Sequence, residues 1–360
     1  MHALNTVTSR IPYKLERLGV LMKPQPGNLL EVEGVLNPAT IQKEPGELFL
    51  YPRLVAEGNV SRVGRCKVEL ADSVPVDVTR LGVVLEPEEA WERGANNAGV
   101  EDPRITRIDD LDVYIMTYIA YGPLGPKPAM AVSRDGEEWE RIGPIHFEYQ
   151  PELSTDLNMF PNKDIVVFPE AVTSPDGKES YAVLHRPMWD LDWLRPGEGA
   201  PLPAGIEDPR PSIWIGFVDA EAVRKDLRNL VHIENSRLLA APEMPYEESK
   251  IGAGPAPIRV PEGWLLIHHG VTGAETKGFG LAYGARYTAG AILLDAERPW
   301  IELGRTLEPL LTPETPEELA GTLGNVVFPT AIEKIDGRYY VFYGMADSQI
   351  GVATLERIDE

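Results

Sequence analysis

The sequence predicts an all-β fold and, within that class, a five-bladed β-propeller with a central pocket. Three observations support this prediction. The chain has 33 glycines and 33 prolines among 360 residues, a proline-led segment recurs five times, and a strongly aromatic segment follows each copy. So many turn-forming residues leave little room for long helices. Five similar units, each long enough for four short strands, suit the blades of a propeller.

The five repeats share a proline, a short apolar segment, a turn with Gly or Asp, and an apolar, aromatic segment. Their spacing is regular: intervals of 65, 66, 86 and 74 residues separate Pro38, Pro103, Pro169, Pro255 and Pro329. We expect residues 1–360 to form a single propeller domain, with blade hairpins near 37–53, 102–121, 168–187, 254–270 and 328–347. A β-sandwich with coincidental spacing is the alternative.

Each repeat is predicted to be a β-hairpin. Proline is tolerated at the first position of a strand, so we expect each proline to begin one. The Asp-Gly pairs at 176–177 and 336–337 supply the positive φ angles that a tight hairpin turn requires. Segments such as "WLLIHHG" and "YYVFYG" are almost continuously apolar, as expected for strands covered on both faces.

The hairpin geometry predicts where polar side chains meet. In an antiparallel pair, the start of the first strand and the end of the second lie at the same end of the sheet. Residues before the prolines therefore share one face of the propeller with residues that end the aromatic strands. These polar groups are Asn37, Asp102, Arg53, His185, Arg186, His268, His269 and Asp347. We expect them to converge on the central pocket.

A ring of blades must also join its two ends, since open strand edges favour association. The segments "LERLGVLMKP" (15–24) and "GVATLERI" (351–358) contain enough Val, Leu and Ile to pair as strands. We expect both to complete the same terminal blade. The alternatives are a short N-terminal helix or frayed tails.

Composition excludes several classes of function. A net charge of −22 disfavours nucleic acid and anionic membranes as partners, since both require a basic surface. The single cysteine, Cys66, rules out an internal disulfide framework and favours a reducing, cytoplasmic location. The six histidines show no metal-ligand spacing, and there is no phosphate-binding glycine loop or nucleophile elbow. We therefore expect neither a metal nor another cofactor.

Six motifs occur in order along the chain: "GVEDPRIT" (99–106), "KDIVVFPE" (163–170), "LHRP" (184–187), "KIGAGPAPI" (250–258), "GWLLIHHG" (263–270) and "YGMADS" (343–348). This set resembles glycoside hydrolase family 130, the β-mannoside phosphorylases and related β-mannosidases. The resemblance extends from about Asn37 to Thr354. It implies a five-bladed propeller, which the repeats predict independently.

The resemblance implies that Asp102 is the catalytic acid, which protonates the glycosidic oxygen through the mannose 3-hydroxyl. Inorganic phosphate, a co-substrate, attacks the anomeric carbon from the opposite face and releases α-mannose 1-phosphate with inversion. Phosphate is already anionic, so it needs cations to position it and no base to activate it. The matching positions for that phosphate site are Lys163, Arg186, Lys250 and His269.

The resemblance also implies a set of residues that bind the mannosyl unit: Asn37, Arg53, Ser61, Arg62, Glu101 and Asp347. Amide, guanidinium and carboxylate groups suit sugar hydroxyls, which both donate and accept hydrogen bonds. For Glu101 two roles are open: it either contacts the sugar or only flanks Asp102. Tyr121 and Trp189 are candidate apolar faces for a sugar ring, although most aromatic residues on such strands belong to the core.

Several questions stay open at this stage. A phosphate-independent inverting β-mannosidase, with Glu170 or Glu248 as base, and a non-catalytic glycan-binding propeller are the alternatives to a phosphorylase. The chain departs from the family pattern in having His268 where a tyrosine is usual. A second "EDPR" (207–210) lies in a Pro/Gly-rich loop and is interpreted as coincidence. The linkage, the acceptor sugar and the formation of a homo-oligomer are undetermined.

Overall fold

The computed structural model describes residues 11–192, 194–273 and 284–358. The described residues are almost entirely β, with two short α-helices and five 3-10 helices. The helices are α1 (Ala220–Lys225) and α2 (Pro316–Leu319), and the 3-10 turns are Asp109–Leu111, Pro151–Leu153, Leu157–Met159, Leu227–Val231 and Pro245–Glu247. Within these residues, no helix has both the length and the apolar character that crossing a membrane requires.

The strands form five blades, each built on four antiparallel strands. The first strand of the chain, β1 (Tyr13–Met22), belongs to blade 5. Blade 1 comprises β2 (Gly34–Glu44), β3 (Glu47–Ala56), β4 (Val60–Ala71) and β5 (Val74–Leu85). Blade 2 comprises β6 (Ala98–Ile108), β7 (Val113–Gly122), β8 (Gly125–Ser133) and β9 (Glu140–Pro144). Blades 1 and 2 are joined by a two-residue parallel pairing of β4 with β6.

The last three blades follow the same plan. Blade 3 comprises β10 (His146–Phe147), β11 (Asn162–Val167), β12 (Val172–Thr173), β13 (Glu179–Pro187), β14 (Ile213–Asp219) and β15 (His232–Ala240); blade 4 comprises β16 (Lys250–Ala253), β17 (Ile258–Val260), β18 (Gly263–Thr272), β19 (Arg286–Leu294) and β20 (Glu302–Arg305); blade 5 comprises β21 (Val327–Ile335), β22 (Arg338–Met345) and β23 (Gln349–Arg357), with β1 outermost.

Hydrophobic packing between adjacent blades closes the ring. Among the described residues, five apolar clusters each take side chains from two neighbouring blades. One of them joins the last blade to the first, where Phe342 and Val352 pack with Val35 and Leu50. Each blade is therefore buried on both faces, which explains the continuous apolar segments. The predicted five-bladed propeller is confirmed.

The terminal strands complete blade 5, as the sequence predicts. β1 pairs antiparallel with β23, with Tyr13 opposite Arg357 and Leu15 opposite Leu355. Hydrogen bonds then link this blade to blade 1: the Val35 N–H donates to the Ser348 carbonyl at 3.2 Å, and the Thr330 hydroxyl donates to the Pro38 carbonyl at 2.6 Å. The N-terminal segment is thus a structural strand and neither a helix nor a frayed tail.

The prediction that prolines begin the strands is wrong. Pro38, Pro103 and Pro329 lie inside the innermost strands at β-bulges, where the ladder register shifts. Pro169 and Pro255 lie between the two short pieces of the innermost strands of blades 3 and 4. A bulge leaves a residue outside the ladder, so a residue without an N–H is accepted there.

Only one of the two predicted Asp-Gly turns has positive φ at both positions. Asp336 and Gly337 have φ of 47° and 84° and connect β21 to β22 through the pair Ile335 and Arg338. In the turn at 176–177 only Gly177 has positive φ. That turn is closed by the Gly177 N–H, which donates to the Ser174 carbonyl.

A repeated buried glutamate ties the outermost strand to the second strand in three blades. Glu92, Glu247 and Glu318 are fully buried. Each carboxylate accepts two backbone N–H groups of its own loop, one side chain from the second strand and one arginine from the outermost strand. The second-strand partners are Tyr118, His268 and Tyr343, and the arginines are Arg141, Arg305 and Arg17. Each glutamate follows a proline by five residues, at Pro87, Pro242 and Pro313.

The buried glutamate of blade 5 generates a stability prediction. Arg17 lies on the outermost strand, β1, and its Nε donates to Glu318 at 2.9 Å. Arg17→Met should lower the free energy of unfolding by about 1.5–3 kcal/mol, because a charge-assisted hydrogen bond to a buried carboxylate is lost. Lys14→Met is the matched control, since Lys14 lies on the same strand and forms exposed ion pairs. Thermal unfolding of both variants measures this, and equal midpoints would contradict the role of Arg17.

Candidate active site

Three polar residues reach the propeller axis from backbone positions with positive φ. Asn37, Asp102 and Asp164 have φ of 43°, 48° and 52°, and each lies at the bulge of the innermost strand in blades 1, 2 and 3. A left-handed conformation is costly for a residue with a Cβ, and such positions concentrate at functional sites. The adjacent acids before Pro103 are thus part of a bulge that turns the Asp102 side chain into the pocket.

Arg53 is the centre of the first group of contacts. It lies near the end of β3 and is buried. Its Nη1 donates to Asp102 Oδ1 at 3.0 Å, and its Nη2 donates to Glu101 Oε1 at 2.8 Å. Its Nε donates to the Ser61 hydroxyl at 2.8 Å, and Asn37 Nδ2 donates to Asp102 Oδ1 at 2.8 Å. The structure therefore brings together five residues that the sequence analysis assigned to the acid and the sugar site.

These contacts set the charge of Asp102. Burial alone would raise the pKa of Asp102, but Arg53, Lys163 and Arg104 lower it, and the hydrogen bond from Asn37 acts in the same direction. Burial would lower the pKa of Arg53, whereas Glu101 and Asp102 raise it. With no ligand bound, Asp102 is therefore an ionised carboxylate paired with a charged guanidinium.

Asp347 and Arg62 differ in their relation to this group. Asp347 occupies the turn between β22 and β23 with φ of 50°. Burial raises its pKa to about 6, with Arg53, Asp102, Lys163 and Glu101 as its charged neighbours. Asp347 thus lies in the same pocket. Arg62 is half-buried on β4, and no hydrogen bond between described side chains joins it to the other predicted residues.

The predicted phosphate ligands come from two adjacent blades. Lys163 and Arg186 are opposite each other across β11 and β13, while Lys250 and His269 lie on the paired strands β16 and β18. Lys250 and Arg186 are among the charges acting on His269. The Lys163 ammonium donates to Glu101 at 3.3 Å. Lys163 therefore connects the other cations to the residues around Arg53. The structure thus brings all four together.

Asp164 links these cations and was missed by the sequence analysis. Its carboxylate is buried and accepts a hydrogen bond from Arg186 Nε at 2.5 Å. His269 Nε2 lies 3.6 Å from the same carboxylate oxygen. Burial would raise the pKa of Asp164, but Arg186, His269 and Arg104 lower it. Asp164 lies at a bulge, as Asn37 and Asp102 do, but no proline follows it. The proline pattern used to find the other two residues therefore did not identify Asp164.

Two buried histidines are uncharged at neutral pH. Burial lowers the pKa of His185 to about 3. It also lowers the pKa of His269 well below its usual value, against the opposing effect of Asp164. His185 Nδ1 is 3.0 Å from Asn162 Nδ2, and the side-chain Oδ1 of Asn162 accepts the backbone N–H of Arg186. His185 and Asn162 therefore support the strand that carries Arg186, and neutral His269 can donate its one ring N–H to an oxyanion.

Arg104 was also missed, although it belongs to the "EDPR" motif. Its side chain is fully buried. It donates to the carbonyls of Gly254, Ala253 and Asp102 at 2.8, 3.2 and 3.2 Å, and Nη2 is 3.5 Å from Asp164 Oδ1. One guanidinium thus joins the bulge of the acid to the carboxylate that orients Arg186.

Two candidate positions, His268 and Trp189, lie outside the pocket, and so does the second "EDPR". His268 points to the buried Glu247 at 2.7 Å, because side chains alternate along β18 and His269 takes the inner side. Trp189 is buried among Phe160 and Trp214 in the core, so it offers no face to a sugar. Asp208 in the second "EDPR" pairs with Arg210, which confirms that this copy is separate from the site. Tyr121 is half-buried, with Lys163 5.8 Å from its ring centre.

Comparison with known proteins gives consistent results. The family model described as beta-1,4-mannooligosaccharide phosphorylase (Glyco_hydro_130) matches residues 15–359. A 1,2-beta-oligomannan phosphorylase of Thermoanaerobacter sp. is 31% identical over 352 residues, covering 96% of this chain and 98% of the relative. A beta-1,2-mannobiose phosphorylase of the same organism is 32% identical over 363 residues, with the same coverage of 96% and 98%.

A solved structure supports the fold. The beta-1,2-mannobiose phosphorylase of Listeria innocua, in complex with beta-1,2-mannobiose, superposes with a TM-score of 0.70 at 22% identity, covering 96% of this chain and 97% of the other. The match to the family model covers nearly all of the described strands. The chain therefore belongs to glycoside hydrolase family 130.

Proposed function

We propose that this enzyme catalyses the inverting phosphorolysis of β-mannosides by inorganic phosphate, with α-mannose 1-phosphate as product. One observation supports the proposal: the Lys163 ammonium, which donates to Glu101 and lowers the pKa of Asp102, lies opposite Arg186 across the strand pair, and Arg186 and Lys250 both act on His269. An acid and an anion site in contact are what this reaction requires. The family relatives supply the substrate class, since both full-length relatives are named as phosphorylases of β-1,2-linked mannosides.

In this proposal Asp102 is the general acid. Asn37 and Arg53 hold its carboxylate, and Glu101, Ser61 and Asp347 surround the same space. Together with Arg62, these polar side chains would bind the hydroxyls of the mannosyl unit. Asp102 would protonate the glycosidic oxygen through the mannose 3-hydroxyl.

Lys163, Arg186, Lys250 and His269 would bind phosphate and direct one oxygen to the anomeric carbon. Arg186 already shares Asp164 with Arg104, so its guanidinium is held in place before phosphate arrives. Such preorganisation reduces the cost of ordering the site during the reaction. No activating base is needed, because phosphate is an anion at neutral pH.

The hydrolase alternative finds no support from the two glutamates predicted as its base. Glu170 pairs with Arg259 at 2.6 Å, and both side chains are exposed. Glu248 is exposed and accepts the Gly273 N–H at 3.2 Å. Neither contact involves a residue of the pocket. An inverting hydrolase needs a second carboxylate free to activate water, so these positions favour phosphorolysis.

The defining experiment is incubation with β-1,2-mannobiose, with and without inorganic phosphate, and detection of α-mannose 1-phosphate by NMR. We expect this product only when phosphate is present. β-1,4-Mannobiose is the comparison substrate and reports on linkage. Free mannose at the same rate without phosphate would identify a hydrolase, and binding without turnover would identify a glycan-binding propeller.

Asp102→Asn tests the acid. The amide keeps the shape of the side chain but cannot donate an acidic proton, so we expect kcat to fall by roughly 10²–10⁴-fold. Asp208→Asn, in the second "EDPR", is the matched control and should retain activity. Steady-state rates with saturating phosphate measure both. Near wild-type turnover in the Asp102 variant would refute the assignment.

Lys250→Met tests the phosphate site. Losing one charge-assisted contact should raise KM for phosphate by roughly ten- to a hundredfold, with a much smaller change in KM for the mannoside. Arg186 is less suitable for this test, because replacing it also removes a hydrogen-bond donor to the buried Asp164 carboxylate. Lys225→Met on α1 is the control, since Lys225 is exposed and pairs with Glu221. A proportional rise in both KM values would place Lys250 outside the phosphate site.

A further inference from the structure

The charges of the pocket are close to balance before any substrate binds. Among the described residues that contact or act on one another there, five cations face four carboxylates. The cations are Arg53, Arg104, Lys163, Arg186 and Lys250, and the carboxylates are Glu101, Asp102, Asp164 and Asp347. The histidine that faces these charges, His269, is neutral. The pocket therefore carries about one net positive charge.

A bound phosphate dianion would reverse that sign. Two negative charges added to one net positive charge leave an excess of one negative charge in a buried site. Buried, uncompensated charge is costly, and ionisable groups respond by changing protonation state. A neighbouring anion also disfavours the charged form of a carboxyl group. The charge count therefore predicts that the pocket takes up one proton when the phosphate dianion binds.

The carboxylates differ in the number of cations that contact them. Glu101 contacts both Arg53 and Lys163, and Asp164 contacts both Arg186 and Arg104. The Asp102 side chain contacts one cation in the described part of the chain, Arg53, and the charged groups acting on Asp347 are Arg53, Asp102, Lys163 and Glu101. Burial and the two neighbouring acids raise the pKa of Asp347 to about 6, although Arg53 opposes them. Asp347 is therefore a carboxyl group with a raised pKa whose charge interacts with that of Asp102.

We propose that binding of the phosphate dianion is coupled to uptake of one proton by the Asp102 and Asp347 pair, so that phosphate itself prepares the general acid. This inference rests on the proposed function. It explains how Asp102, ionised in the empty pocket, becomes able to donate a proton. Because the two carboxyl groups interact, the proton belongs to the pair.

The proton balance of the reaction is consistent with this coupling. The pair takes a proton from solvent when HPO₄²⁻ binds and gives it to the leaving glycosidic oxygen as the C–O bond breaks. One phosphate oxygen forms the new bond to the anomeric carbon. The proton that HPO₄²⁻ carried is released to solvent, because the product leaves as the phosphate ester dianion. No net proton is consumed.

Calorimetric titration of the mannoside-free enzyme with inorganic phosphate at pH 7.5 tests the coupling. Titrations in buffers of different ionisation enthalpy give the number of protons taken up. We expect roughly one per phosphate bound in the wild-type enzyme. Uptake should decline below pH 6, where Asp347 is already protonated. Asp347→Asn removes one negative charge, so phosphate should still bind but with almost no proton uptake.

Two further measurements decide the remaining outcomes. Infrared difference spectra should show a protonated carboxyl band when phosphate is added to the wild-type enzyme and no such band with Asp347→Asn. Asp347→Glu should restore proton uptake, and Asp208→Asn should leave it unchanged. Phosphate binding without proton uptake, or uptake without a carboxyl band, would overturn this inference alone. Absence of phosphate binding would overturn the proposed function and this inference together.

Discussion

The arrangement of the pocket depends on one buried guanidinium, that of Arg104. Its contacts reach the bulge of Asp102 in blade 2, Asp164 in blade 3 and two carbonyls that end the first strand piece of blade 4. It also lies 5.7 Å from the ring centre of Phe328 in blade 5. A buried cation without partners is strongly unfavourable. Blades 2, 3 and 4 therefore meet in a register that satisfies this side chain, and the same register sets the distance between Asp102 and the cations of blades 3 and 4.

The pocket has a small positive net charge, whereas the whole molecule is strongly negative. A chain of net charge −22 repels anions at long range, yet the pocket gathers five cations from blades 1 to 4. Four carboxylates keep those cations ordered and nearly neutralised in the absence of substrate. The result is a site with a small positive excess and fixed donors. Such a site gains from a bound anion without a large rearrangement, and it also makes the protonation of its own carboxylates sensitive to that anion.

Much of the fold and part of the site could be predicted from local patterns. The repeat of proline and aromatic segments identified all five blades, and apolar content identified the terminal strands that pair in blade 5. Asn37, Arg53 and Asp102 were placed together because hairpin topology brings strand starts and ends to one face. Arg104 and Asp164 were missed because nothing in their immediate sequence separates a buried, multiply bonded charge from an exposed one. His268 was misplaced because only strand register decides which of two adjacent histidines faces the pocket.

Residue type, spacing and motif were enough to predict the repeat, the all-β class, and Asp102 and the cations as candidate site residues. Tertiary structure alone decided the pairing of charges, the ionised state of Asp102 and the raised pKa of Asp347. Those properties depend on burial and on distances between residues far apart in the chain, such as Arg53 and Asp102 or Asp164 and His269. Electrostatic energy in a buried site varies steeply with such distances, and no local pattern encodes them.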